Sequence, residues 1–290
     1  MKTRMTPYAP KDLFLLALLV VMSGCVNDEP MGASAQSHTN KVSNFSRSFQ
    51  PFTIVREMAL DVGADVKMTF VWVPALRMWV GKYDVTNEEY RRFKHDHNSG
   101  EYDGHTLNEA SQPAVEVSFN DAVRFADWVN RTAKLPIGYK CRLPGGTNEW
   151  LTFAQCGDGR KYPWGDEWPP KYGNYHGQEG AGLWDKIEDY NDRHPVTCRV
   201  EDSCKNEWGL YGIGGNVWQW TSESYESNSI CRVLRGASWR DGGADVLECS
   251  YRLGYDPSLR LKFIGFRLLL SPIILPKNMG STSVAPSVSD

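Results

Sequence analysis

Over residues 157–271 the chain never keeps one period for long, because short aromatic runs alternate with Gly, Pro, Asn and Asp. A packed helix needs apolar residues at three- and four-residue intervals, and a parallel sheet needs such helices between its strands. This half must therefore fold as short strands and long loops. The 11 Trp, 13 Tyr, 26 Gly and 16 Pro among 290 residues imply loops held by large aromatic anchors rather than by helix packing.

The first half is more regular. Residues 68–73 and 78–85 read as strands, the second followed by Thr86 and Glu89 at capping-box spacing, which open a short helix running through Arg92. Ser118 and Asp121 repeat that spacing, and Phe119, Ala122, Val123, Ala126 and Val129 recur on one helical face. A third short helix is expected from about Thr147, carrying Trp150, Phe153 and Ala154. Helices early and strands late imply an α+β fold.

The amino terminus has the form of an export signal. Lys2, Arg4 and Lys11 precede a short apolar stretch at 13–22, too short for an ordinary spanning helix, and Ser23-Gly24 lead into Cys25. Met22-Ser23-Gly24-Cys25 resembles a bacterial lipobox, although Met22 stands where Leu is usual. The expectation is a signal peptide over 1–24 and lipidation of Cys25, with an ordinary cleaved signal as the alternative. Residues 25–50 are small and polar and read as a flexible tether, 51–275 as one folded unit, and 276–290 as a flexible tail. Acidic Asn27-Asp28-Glu29 after the anchor hints at an outer-membrane or surface location in the cell envelope, with the lipid membrane as partner through Cys25.

Thirty-two basic against 35 acidic residues give a net charge of −3, which argues against a basic nucleic-acid binder. Common catalytic motifs fail on inspection. Val217 replaces the third glycine in the run from Gly212, so a phosphate loop is not formed, and no G-x-S-x-G elbow is present. His95-Asp96-His97 has a metal-like spacing but lies at a polar helix end. Six cysteines follow Cys25, an even number that suggests disulfides in an exported protein, with buried thiols as the alternative. None forms a Cys-x-x-Cys.

Eight segments in order carry a closer resemblance. They are Gly81-Lys-Tyr-Asp-Val-Thr-Asn87, Val117-Ser-Phe-Asn-Asp-Ala122, Arg142-Leu-Pro144 with Glu149-Trp150, Tyr162-Pro-Trp-Gly165, Trp208-Gly-Leu-Tyr211, Gly215-Asn-Val-Trp-Gln-Trp220, Leu234-Arg-Gly-Ala-Ser-Trp239 and Gly265-Phe-Arg267. Together they resemble the formylglycine-generating enzyme (sulfatase-modifying factor) family. The resemblance implies a C-type-lectin-like fold. It does not settle the chemistry, because this fold hosts copper oxidases, sulfoxide synthases and structural lipoproteins.

In the family's copper oxidases two thiolates near the C-terminus hold Cu(I), and the resemblance places them at Asp241 and Val246, neither of which is a cysteine. Copper is therefore not expected, since a carboxylate and a valine cannot replace two soft sulfurs. Iron would have to come from His95, His97, His105, His176 or His194, which show no facial-triad spacing. Ser238, Arg240 and Asp241 are the candidate pocket residues. The resemblance further implies a calcium site from the Asn174 side chain, Tyr175 carbonyl, Asp192 side chain and His194 carbonyl. A second, weaker site would use Gly212, Gly215 and Val217 with Gln219 in place of the family's Glu. It also implies a Cys156–Cys249 disulfide, and a short-loop Cys198–Cys204 bridge is a further expectation. The functional expectation is an anchored binding or structural domain at the envelope, with an unknown protein or glycan partner. The alternative is an oxygen-dependent or nonheme-iron oxidase with a rearranged metal site.

Overall fold

A computed structural model describes residues 56–273. The expected signal peptide, Cys25, the expected tether and the expected tail lie outside the described residues. No helix among the described residues is long and apolar enough to cross a membrane.

Chain order is β1 (Glu57–Asp61), β2 (Lys67–Val73), β3 (Met78–Gly81), α1 (Asn87–Arg91), β4 (Glu101–Tyr102), β5 (His105–Thr106), α2 (Phe119–Thr132) and β6 (Tyr139–Arg142). A π-turn (Gly146–Trp150) runs into α3 (Leu151–Ala154), followed by β7 (Trp218–Ser224), β8 (Arg232–Arg235), β9 (Leu253–Tyr255), β10 (Ile264–Phe266) and β11 (Leu269–Pro272). The fold is α+β, as expected, and nothing between α3 and β7 forms a helix or strand longer than an isolated bridge.

Two sheets organise it. One is antiparallel with order β1-β2-β3-β11-β6, which brings the last strand between β3 and β6. The other has order β10-β7-β8-β9, with β10 parallel to β7. The pleat of β2 explains the core: Met68 and Phe70 enter one apolar cluster while Val71 and Val73 enter another on the opposite face. Trp79 and Val80 in β3, and Leu270 and Leu269 in β11, divide the same way. A sheet buried on both faces needs cover on both. Helix α2 supplies Phe125, Ala126 and Val129 to the first cluster, and the π-turn with α3 supplies Trp150, Phe153 and Ala154 to the second.

Both capping boxes are present, Thr86 with Glu89 and Ser118 with Asp121. Two expectations are corrected. Strand β3 stops at Gly81 rather than at residue 85: the Gly81 N–H donates at 2.8 Å to the carbonyl of Leu268, the residue before β11, so closely that a Cβ on Gly81 would lie 2.9 Å from that oxygen. The third helix begins as a π-turn because Glu149 folds back to accept the Gly145 N–H at 2.6 Å while pairing with Arg142.

Candidate functional site

Ser238 and Asp241 lie in the turn after β8, where Gly236 and Ala237 both take positive φ (102° and 59°). That reversal points the turn back on itself. Asp241 Oδ2 accepts from the Ser238 N–H at 2.9 Å, from the Ser238 hydroxyl at 2.5 Å and from Trp218 Nε1 at 2.8 Å. Burial raises the Asp241 carboxyl above the usual range, against the lowering effects of the Ser238 hydrogen bond, Arg240 and Trp218. Ser238 is fully buried. Ser238 and Asp241 therefore form a self-satisfied cap, and of the three expected pocket residues it is Arg240 that lines a cavity.

Copper does not fit these residues. Every donor aimed at Asp241 Oδ2 is an N–H or O–H, Val246 packs against the larger apolar cluster, and Cys249 belongs to the other cluster beside Trp150 and Leu269.

The expected disulfides are absent, and all six described cysteines are free thiols. Cys156 donates toward Glu207 Oε2 at 3.3 Å, whereas Cys249 is buried. Burial pushes both thiols up to about 12. Cys198 is buried and Cys204 exposed, so their sulfurs occupy opposite environments despite the short spacing.

The first calcium-type cluster is partly brought together, with the Tyr175 carbonyl already accepting the Gly177 N–H at 2.9 Å. Asp192 Oδ2 accepts the Tyr175 N–H at 2.8 Å and Oδ1 accepts the His194 N–H at 2.9 Å. Asn174 donates from Nδ2 to the Val196 carbonyl and to Asn216 Oδ1, leaving its own Oδ1 buried with no partner. Glu179, which the sequence reading missed, joins the cluster: its Oε1 accepts the Asp192 N–H at 3.3 Å, and its buried Oε2 has no partner. Two neighbouring, partly buried carboxylates resist ionising together. Burial, opposed by the Tyr175 and His194 amides and reinforced by Glu179, pushes Asp192 up to about 8. The unpartnered Glu179 oxygen in this carboxylate pair and the unpartnered Asn174 amide oxygen are hard donors of the kind that suit a divalent cation.

The second cluster is built differently. Gln219 Nε2 donates to the Gly212 carbonyl at 2.7 Å, and Gln219 Oε1 accepts from Trp150 Nε1 at 2.8 Å. The Gly215 carbonyl accepts the Val217 N–H at 2.8 Å. Buried Arg267 pairs with Asp84 at 3.3 Å and donates to the Gly81 and Tyr211 carbonyls. Burial raises Asp84 to about 7, opposed by Arg267, and its Oδ2 has no partner. Donors from this chain thus already serve the Gly212 and Gly215 carbonyls that an ion would bind.

The remaining histidines do not converge. His97 is buried against Tyr90, its Nε2 is 3.1 Å from Ser99 Oγ, and burial lowers it to about 4. His95 and His105 are exposed, and His176 is buried with Nδ1 at 3.2 Å from the Asp185 carbonyl. Among the described residues no group of three His, Cys, Asp or Glu side chains could hold a metal. The first cluster draws on Asn and carbonyl oxygens instead.

Asn216, missed by the sequence reading, ties these loops together. Its Oδ1 accepts from Cys198 N at 3.0 Å and from Asn174, and its N–H donates to the Asn174 carbonyl at 2.8 Å.

This loop-rich α+β fold with two small sheets is of the C-type-lectin-like class found among sulfatase-modifying factors. Residues 57–272 match the Sulfatase-modifying factor enzyme 1-like domain, and the chain belongs to that family. It is 36% identical over 163 residues to the inactive C-alpha-formylglycine-generating enzyme 2 of Bos taurus, covering 53% of this chain and 49% of that protein. It is 30% identical over 175 residues to the formylglycine-generating enzyme of Streptomyces coelicolor, covering 54% and 52%. The chain thus spans about half the length of these curated relatives. Among solved structures, Treponema denticola variable protein 1 shares the fold, with a TM-score of 0.56 at 20% identity, covering 74% of this chain and 99% of that one. PvdO from Pseudomonas aeruginosa superposes with a TM-score of 0.51 at 17% identity, covering 74% and 91%.

Proposed function

We propose that this protein is a lipid-anchored binding domain of the cell envelope that does not carry out copper-dependent formylglycine formation. The observation that carries this reading is the locked Asp241 carboxylate, held by Ser238 and Trp218 where the resemblance requires a free thiolate. Similarity to an inactive formylglycine-generating enzyme supports it. Calcium, held by Asn174, Asp192 and the carbonyls of Tyr175 and His194 with Glu179 beside them, would act by cross-linking loops rather than by chemistry. Lipidation of Cys25 would supply the anchor, each acyl chain contributing ~0.8 kcal/mol per buried CH₂. The partner is an envelope protein or glycan, not nucleic acid.

The test of the chemistry is incubation of the Cu(I)-treated, calcium-loaded protein with a peptide carrying Cys-x-Pro-x-Arg under oxygen, followed by mass spectrometry. No aldehyde is expected, and turnover would overturn the reading. For the anchor, the full-length protein should sediment with membranes and Cys25→Ser should move it to the soluble fraction. Identical fractionation of the two would remove the lipid from the proposal.

A further inference from the structure

Arg240 has an unusual setting for a free cation. Its guanidinium carbon lies 3.9 Å from the ring centroids of both Trp184 and Phe263, clamped between two aromatic faces. Its side chain makes no ion pair or hydrogen bond among the described residues, so the stacking holds it while leaving its N–H groups for another acceptor. The planar fork of an arginine held this way matches a carboxylate better than it matches a lone acceptor.

Around it are two cavities, of about 240 Å³ beside Arg240 and about 520 Å³ beside Leu183, which share Tyr102 and Trp184 as walls. Trp184 is 42% exposed and Leu183 wholly so. The floor is Gly182, at φ 93°, where a Cβ would meet the Tyr102 hydroxyl at 2.9 Å and Trp184 Nε1 at 3.0 Å. Two polar groups thus converge on the one residue that lacks a side chain, and neither has a hydrogen-bond partner among the described residues.

The charges on the walls narrow the ligand. Lys262 lines the smaller cavity and donates to the Glu101 carbonyl, which leaves its charge unneutralised, but Glu116 stands in the same cavity and Asp103 in the larger one. A plain polyanion would be repelled by these two carboxylates. A ligand whose carboxylates are spaced one to a ring among many hydroxyls is not, because its hydroxyls donate to Asp103 and Glu116 while one carboxylate takes Arg240. The apolar face of a pyranose ring also fits a half-exposed indole. Among the described residues lining the cleft, the strand present is the two-residue β4, too short an edge to bind an extended peptide by main-chain pairing.

We propose that the Tyr102–Trp184–Arg240 cleft binds an acidic saccharide, a uronic-acid residue whose carboxylate pairs with Arg240 and whose ring stacks on Trp184. This deepens the binding reading given above and rests on it.

The experiment is a tryptophan-fluorescence and calorimetric titration of the mature, calcium-loaded protein with trigalacturonate, with maltotriose as the neutral comparator and triglutamate as the acidic peptide. Trigalacturonate should bind saturably, and added salt should weaken it. Maltotriose should bind at least about tenfold more weakly, as expected on losing a charge-assisted bidentate pair. Arg240→Gln and Trp184→Ala should each weaken trigalacturonate by a similar factor, with melting temperatures confirming that both variants fold. Absence of saturable trigalacturonate binding, equal affinity of Arg240→Gln and the parent, or tighter binding of triglutamate would each overturn the proposal. Such a failure leaves the aldehyde assay negative, whereas failure of the non-catalytic reading would appear as turnover there.

Discussion

Trp218 Nε1 donates to Asp241 Oδ2 at 2.8 Å, joining the first residue of β7 to the turn that follows β8. The same oxygen receives both polar groups of Ser238, so one carboxylate closes the turn and fixes an indole of the core. An Asp at this position is therefore a structural element in its own right, not a degraded ligand.

Asp241→Cys should accordingly damage the protein without restoring copper. The thiol is a weak acceptor, and the Trp218 and Ser238 donors would be left buried and poorly paired, a loss of about 1–3 kcal/mol in denaturant unfolding. Copper content after Cu(I) treatment should match the parent protein, because Val246 still offers no second sulfur. A stoichiometric copper gain in this single variant would show that Cys249 can reach the site.

Stability should fall as pH rises when calcium is withheld. The folded Asp192 carboxyl titrates near 8, well above the ordinary value of 3.8. Its contribution is therefore fully present below the unfolded pKa and is lost as pH climbs from about 4 toward about 8. A divalent ion replaces the proton, so calcium should raise the melting temperature more at pH 8 than at pH 5. Asp192→Asn should remove most of both effects. A calcium shift of equal size at both pH values would argue against this carboxylate pair as the site.

What the sequence made legible follows from how local each signal was. The helices opened by Thr86 and Ser118 carry their caps within three residues, and both appear as read. Strand β1 was not anticipated: Glu57–Asp61 lacks β-branched residues and is mostly exposed, so it exists only through pairing with β2. The cluster at Asn174 and Asp192 was legible only through the family resemblance. Asn216 and Asp84 make their contacts 42 and 183 residues away, and Glu179 reaches Asp192 across a 13-residue irregular loop, so no periodicity marks any of them. Arg240 was noticed for its place beside Ser238, but its clamp depends on Trp184, which lies 56 residues earlier in an irregular loop.

Thiol chemistry should report the burial order. Cys204 is exposed, whereas Cys141, Cys198 and Cys249 are buried and held as thiols well above neutral pH. Alkylation of the native protein should label Cys204 quickly and these three only after unfolding, and non-reducing peptide mapping should recover all six unpaired. A Cys156–Cys249 peptide in oxidised material would restore the bridge that the family resemblance implied.

The last prediction concerns the amide that stands in for a cation. Gln219 is fully buried, donates to the Gly212 carbonyl at 2.7 Å, and lies close to the Arg267–Asp84 pair through Arg267 Nε at 3.4 Å. Gln219→Glu removes the only N–H it aims at Gly212 and sets two acceptors face to face, near an Asp84 oxygen that already lacks a partner. Without metal this should cost about 2–4 kcal/mol at pH 8, the penalty of a buried group left unpaired. Desolvation raises the new carboxyl, so the loss should shrink at pH 5, where the protonated acid can donate to Gly212 much as the amide does. A divalent ion could bridge the carboxylate, the Gly212 carbonyl and Asp84. Combined with Asp192→Asn, which silences the first cluster, Gln219→Glu should therefore create a calcium-dependent rise in melting temperature that Asp192→Asn alone lacks. Unchanged stability at pH 8, or no calcium response in the double variant, would mean that the Gln219 amide does not occupy an ion's place.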